Sequence, residues 1–222
     1  LLAVILVAVA CIGYLTSRQI PKTEAVDPEL KINWNAWKET WRIVNFARED
    51  KSVFLSILGI SWFWFFGPAL TIQVPAYTAD ILNGNESVVT SLLVAFAVGV
   101  GFGSLLCERM SGHRIELGLV PFGSIGMSLF LVDLYFAQPE TAATSVASIS
   151  EFLGRASSWR ILIDLALLGA FGGFYSVPLY ALIQKRSDRK HLSRIIAANN
   201  IINSLLMVAA AVISIVILKL GF

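Results

Sequence analysis

The chain has 222 residues, 56% of them hydrophobic and only 14% charged, with a mean hydropathy of +0.73. Ordinary soluble domains carry about 25% charge, so this composition excludes one and places the chain in a bilayer. A nucleic-acid binder is therefore not expected, the net charge of +2 hides an uneven placement of Lys and Arg, and Cys11 and Cys107, both in or beside apolar runs, exclude a disulfide framework or a cysteine-rich metal site.

In chain order, residues 1–16 are apolar from the first residue. At 1.5 Å per residue they make about 24 Å of helix, short for a hydrocarbon core of ~30 Å. The segment lacks the charged start and small-residue cleavage site of a signal peptide, so it reads as the end of a truncated transmembrane helix in a fragment of a larger polytopic protein. Residues 17–51 form a polar linker. Pro21 and Pro28 bracket an extended stretch, after which Trp34, Trp37, Trp41 and Val44 recur at helical spacing while Lys31, Lys38, Arg42 and Arg48 take other faces. Such an amphipathic helix lies in the membrane interface, with indoles at headgroup level and cations towards anionic lipid.

Residues 52–222 then read as a transmembrane bundle with spans near 52–79, 88–106, 115–137, 159–183 and 195–218. The fold class is an all-α polytopic membrane protein, a serpentine helix bundle. Lys and Arg divide unevenly between alternate connections. Fourteen of the 17 fall before the first of these spans, between the second and third, and between the fourth and fifth. Positive residues near span ends stay cytoplasmic, which sets the orientation and turns Asp80, Glu86 and Glu151 outward.

The span 52–79 carries Val74-Pro75-Ala76-Tyr77, and the span 159–183 carries Val177-Pro178-Leu179-Tyr180. Either the likeness is chance or the two are equivalent helices of an internal repeat, their prolines bordering a cavity as in transporter repeats. In the second case Gln73, Tyr77, Tyr180 and Gln184 are substrate-pathway candidates, because an unpartnered polar group in hydrocarbon is costly. Asn199, Asn200 and Asn203 join them, one or two turns into the last span. Gly99 and Gly103 have the spacing that lets helices approach closely. Among ionisable residues, Arg160 and Asp164 stand four apart, the spacing of a local ion pair. The alternative is that Asp133 and Asp164 serve coupling.

Gly103-Ser-Leu-Leu-Cys-Glu108-Arg109-Met-Ser-Gly112-His-Arg114 resembles a stretched form of the loop motif of the major facilitator superfamily. That resemblance implies that Glu108, Arg109, Gly112 and Arg114 form a gating loop fastening two cytoplasmic helix ends. Longer stretches, Arg114-Ile-Glu-Leu-Gly-Leu-Val-Pro121, Ser176-Val-Pro-Leu-Tyr-Ala-Leu-Ile-Gln184 and Arg194-Ile-Ile-Ala-Ala-Asn-Asn-Ile-Ile-Asn203, resemble the bacterial lysophospholipid transporter branch of that superfamily, in its acyltransferase-fused type. The resemblance implies the C-terminal helix bundle of such a transporter, truncated at both ends. The chain would then hold the end of the sixth helix, the central cytoplasmic loop and helices seven to eleven, and would lack the N-terminal half.

The resemblance further implies a multi-pass protein of the bacterial inner membrane that flips lysophosphatidylethanolamine-like lipids inward for re-acylation by alternating access. The partners it implies are the bilayer, the lysophospholipid and a fused or associated acyltransferase. Two other readings stand beside it: a proton-coupled exporter of drugs or metabolites on the same fold, and a non-transporting anchor for the acyltransferase. Catalysis within the chain is not expected, since neither His113 nor His191 is followed by Asp four or five residues on, and no phosphate-binding loop is present. No metal or cofactor is called for.

Overall fold

The computed structural model describes residues 2–21, 35–112, 114–138, 146–188 and 191–220. The chain divides into two compact units, residues 1–33 and 34–222. In the first, α1 (Leu2–Ser17) is a helix of 16 residues. The Thr16 and Ser17 hydroxyls donate to the carbonyls of Ile12, Gly13 and Tyr14 in its last turns. Trp34, the first aromatic of the expected interfacial helix, lies outside the described residues, as do Pro28, Lys31 and His113.

The second unit contains α2 (Ala36–Ala47), α3 (Lys51–Asp80), α4 (Glu86–Met110), α5 (Leu119–Phe136), the short α6 (Ile149–Leu153), α7 (Ala156–Arg186) and α8 (Leu192–Lys219). Of these α3, α4, α5, α7 and α8 are long and apolar enough to cross a membrane. The unit is an all-α, multi-pass membrane helix bundle.

Local chemistry sets the helix starts. The Asp50 side chain accepts from the Ser52 and Val53 amides to begin α3, and Asn85 accepts from those of Ser87 and Val88 to begin α4. Asn85, which begins the glycosylation-type sequon Asn85-Glu86-Ser87, is therefore a helix cap. The span expected from residue 115 begins only at Leu119. Residues 114–118 turn instead, and Pro121 then falls in the first turn of α5, where its missing N–H costs no intrahelical hydrogen bond. Inside the connection expected over 138–158 the structure places α6. There Ser148 and Glu151 form a reciprocal capping box, and those hydrogen bonds hold the Glu151 carboxyl below its ordinary value.

Two contacts define the ends of the bundle. The backbones of Gly84 and Ala147 bridge the α3–α4 turn to the segment before α6. At the opposite, basic end the Arg186 guanidinium donates to the Ser52 hydroxyl at 2.5 Å, joining the last turn of α7 to the first of α3. Thus α3 and α7 run antiparallel.

Helix α7 is the centre of the bundle, flanked by α4 and α5, while α3 packs on α8 and more lightly on α7. The α4–α7 seam is a backbone contact. A Cβ added at Gly99 would stand 1.9 Å from the Ala166 carbonyl oxygen, and one at Gly103 would stand 2.1 Å from that of Ala170, whereas Gly101 faces open space. One buried cluster joins Ile161, Leu165 and Leu168 of α7 to Val88 and Leu92 of α4. A second joins Val53, Ile57 and Ile60 of α3 to Ile195 and Ala198 of α8. The two sets are in one register: Val53 answers Ile161, Ile57 answers Leu165 and Ile60 answers Leu168. Each set is the i, i+4, i+7 face of its helix, turned to α8 from α3 and to α4 from α7.

The shared Val-Pro-x-Tyr does not fall in this register. It would set Ile57 against the exposed Arg160 instead of the buried Leu165. The motif therefore does not align the two buried faces.

At the basic end, α2 docks by its C-terminal half. Val44 and Ala47 are buried, and the Phe46 ring meets His191 edge-on at 4.7 Å between centroids. Along one stripe the exposure falls from 88% at Trp37 through 62% at Trp41 to 9% at Val44. The four residues read as one interfacial face are therefore split, with Val44 packed in the bundle and Trp37 and Trp41 overhanging it.

Candidate functional site

Because α3 and α5 barely touch, α7 forms the floor of a groove between them. At the far end from the basic residues is a cleft of about 270 Å³ whose walls include Phe66, Leu70, Gln73 and Tyr77 of α3, Leu131 and Leu134 of α5 and Leu165 of α7. A smaller cavity of about 150 Å³ shares Phe66 and Leu131 and adds Trp62, Met127 and Tyr175. The larger cleft is almost wholly apolar, while Ser124, Ser128 and Tyr175 add polar groups to the smaller cavity.

The far end of the groove is polar. The Arg160 guanidinium reaches across from α7 to α5 and forks onto both carboxylate oxygens of Asp133, at 2.5 and 3.3 Å. This corrects the local Arg160–Asp164 pair expected from spacing. Asp164 is only 3% exposed and turns into the α3–α5–α7 junction, whereas the side chain of Arg160 is half exposed on the outside, where Asp133 meets it. Asp164 also interacts with Asp133 and acts electrostatically on Tyr77. One Asp164 oxygen and the Tyr77 hydroxyl are buried without a hydrogen-bond partner among the described residues.

A second polar group lies deeper, between α3, α7 and α8. Ser61 donates to Asn203 at 2.7 Å, the Trp64 indole donates to the Tyr180 hydroxyl at 2.9 Å, and the Tyr175 hydroxyl donates to the Gly59 carbonyl at 3.1 Å. Asn199 is buried and its amide nitrogen meets Asn200 at 3.5 Å, while its carbonyl oxygen has no partner among the described residues. Of the pathway candidates, the structure places Gln73 and Tyr77 on the cleft, Tyr180, Asn199 and Asn203 in or beside the inner polar group, and Asn200 and Gln184 on the exposed surface. Sequence reasoning missed Ser61 and Trp64. A lone serine in an apolar span gives no signal, because its hydroxyl ordinarily returns to its own helix, as Ser56 does to the Ser52 carbonyl.

At the basic end, a cavity of about 250 Å³ separates the α4–α5 turn from α7. Glu108, Ser111, Arg114 and Glu116 line one side, and Pro178 and Ala181 the other. Of the loop candidates, Glu108 and Arg114 share this cavity. Gly112, at φ +55°, makes the turn a left-handed one that suits glycine, and Arg109 is exposed at the end of α4. Among the described residues no three side chains converge as metal ligands.

No family model, curated protein or solved structure matches this chain.

Proposed function

We propose that the chain is part of a secondary transporter of the major facilitator type that carries lysophospholipids inward across the bacterial inner membrane for re-acylation. The observation that supports this reading is the apolar cleft between α3 and α5 with α7 beneath it, next to the Asp133–Arg160 pair. Secondary transporters are commonly built from inverted repeats whose rocking alternates access to a site at the repeat interface. On this reading α3 and α7, which run antiparallel and both border the cleft, are the equivalent helices of such a repeat.

The groove suits a single-chain lipid. Its apolar walls accept one acyl chain, and its polar far end lies where a headgroup from the outer leaflet would enter. A phosphate-bearing head cannot cross hydrocarbon unaided without losing its hydration. The inner group of Ser61, Asn199, Asn203 and Tyr180 supplies hydrogen bonds further along. Glu108, Arg109 and Arg114 act at the cytoplasmic mouth as the gate. The chain works with the N-terminal half of the transporter and with a fused or associated acyltransferase, and is not itself an enzyme.

The test is uptake of labelled lysophosphatidylethanolamine by spheroplasts that lack their own lysolipid transporter and express the intact parent protein. Uptake should follow expression and fall when Glu108 and Arg109 are replaced. A well-inserted protein that gives no uptake sinks the reading.

A further inference from the structure

A cavity of about 410 Å³, larger than those described above, lies between α4 and α5 with α7 as its floor. Because α4 and α5 barely touch, it is a groove open to the outside of the bundle. Phe102, Leu106 and Met110 of α4 form one wall, Phe122 of α5 the other, and Ala166 and Ala170 of α7 the bottom, so its lining is almost wholly apolar. Gly123 and Gly126 of α5 close on Tyr175 and Phe171 of α7 and separate this groove from the cleft beside α3.

The size of the groove decides what fills it. Spread along the ~18 Å of helix from Val98 to Met110, the volume has a mean section of about 23 Å², whereas a helix with its side chains, about 10 Å across, needs roughly 80 Å². A helix does not fit, and an extended hydrocarbon chain does. Arg109 stands at the basic end of the same wall, two turns beyond Phe102 on one face of α4. It is exposed and has no ion pair among the described residues, while its neighbour Glu108 lines the separate cavity towards α7. A guanidinium without a carboxylate partner is suited to fork onto a phosphate. The connections at this end hold most of the Lys and Arg, which favours a lipid of net negative charge.

We propose that the α4–α5 groove holds one acyl chain of an anionic phospholipid from the leaflet at the basic end, with its phosphate on Arg109. The lipid is a resident of the bilayer and not cargo. Its site lies across α5 from the cleft assigned to transport and does not rest on that assignment.

The experiment uses the intact parent protein, stripped of lipid in mild detergent and titrated with phosphatidylglycerol, phosphatidylethanolamine or diacylglycerol of the same chains. Native mass spectrometry counts the lipids retained. One phosphatidylglycerol should bind ahead of the other two. Arg109→Gln should weaken it about fivefold, the scale of one cation at an anionic membrane surface, and Arg109→Lys should keep most of the affinity. Ala166→Leu, which fills the bottom of the groove, should lower the retention of every lipid. Arg109→Gln changes only an exposed side chain and remains decisive should Ala166→Leu fold poorly.

Equal retention of the three lipids, or phosphatidylglycerol binding untouched by Arg109→Gln, overturns the proposal. So does a folded Ala166→Leu protein that retains lipid as before. A second copy of the protein bound in place of lipid assigns the groove to self-association and overturns it too.

Discussion

Ser61 of α3 donates its hydroxyl to Asn203 of α8, whereas a Cβ on Gly169 of α7 would stand 2.3 Å from the Phe96 carbonyl oxygen of α4. One seam is closed by a side-chain hydrogen bond, the other by bare backbone contact. The same packing problem is solved twice, with different residues, and the two seams should respond differently to mutation.

In the α4–α7 seam any added methyl meets main chain. Gly99→Ala, Gly103→Ala or Gly169→Ala should each cost about 1–3 kcal/mol, the scale of overpacking, because the carbonyls of Ala166, Ala170 and Phe96 cannot yield without moving a helix. Gly101→Ala, with open space around it, should be neutral or slightly stabilising through helix propensity. Unfolding by a denaturing detergent compares the four. If Gly101→Ala ranks with the others, the seam is misplaced.

In the α3–α8 seam the apolar cluster is joined by the Ser61–Asn203 hydrogen bond. Interhelical hydrogen bonds in membranes couple by about 0.6 kcal/mol, so a double-mutant cycle of Ser61→Ala and Asn203→Ala should give that order of coupling. Zero coupling between these two residues would mean that they do not meet in the bilayer.

How far the sequence reveals this molecule depends on the range of each interaction. Hydropathy marks the membrane helices, because bilayer thickness imposes a local length on each. The capping box Ser148-x-x-Glu151 is also local, and α6 is legible in hindsight. Asp133–Arg160 and Ser61–Asn203 are not, since each needs the rotation of one helix against another. The i, i+4 rule points Arg160 to Asp164, and the cross-helix fork to Asp133 prevails because burial turns Asp164 away. Asn199 and Asn203 are conspicuous as amides in an apolar span, yet nothing nearby in sequence names their partners.

The Asp133–Arg160 pair is half exposed, and solvent screening makes such pairs weak. Charge reversal at Asp133 alone should therefore reduce stability modestly, and the double swap Asp133→Arg with Arg160→Asp should restore much of it. Reversal of Asp164 with Arg160 should not restore it, because the Arg160 fork is directed at Asp133 and Asp164 is buried beneath it. A rescue by that second swap would reinstate the local pair.

Helix α2 makes a separate prediction about lipid. Trp37 and Trp41 overhang the bundle, Arg48 lies 5.9 Å from the Trp41 ring centroid, and three residues separate the end of α2 from the start of the spanning α3. The two indoles should sit at headgroup depth. Lipids brominated near the headgroup should quench Trp37 and Trp41 more than lipids brominated at chain ends, measured in variants that retain only one of them. Anionic lipid should deepen the quenching through Lys38, Arg42 and Arg48. Equal quenching at both depths would lift α2 off the membrane.

Glu151 provides the pH test outside the membrane. Its carboxyl is held below the ordinary range by the Ser148 amide and hydroxyl, so the folded-state value is lower than the unfolded one. The contribution of the capping box is fully present above the unfolded value, about 4.3 for a glutamate, and is lost as pH falls through the folded value. Above about pH 5, α6 should resist proteolysis unchanged; below pH 4 it should open first, while the spanning helices hold. Glu151→Gln retains an acceptor for the Ser148 amide and has no charge to lose, so its α6 should show little change across the same range. An α6 that opens at the same pH in both proteins would show that the Ser148–Glu151 box does not govern this end of the bundle.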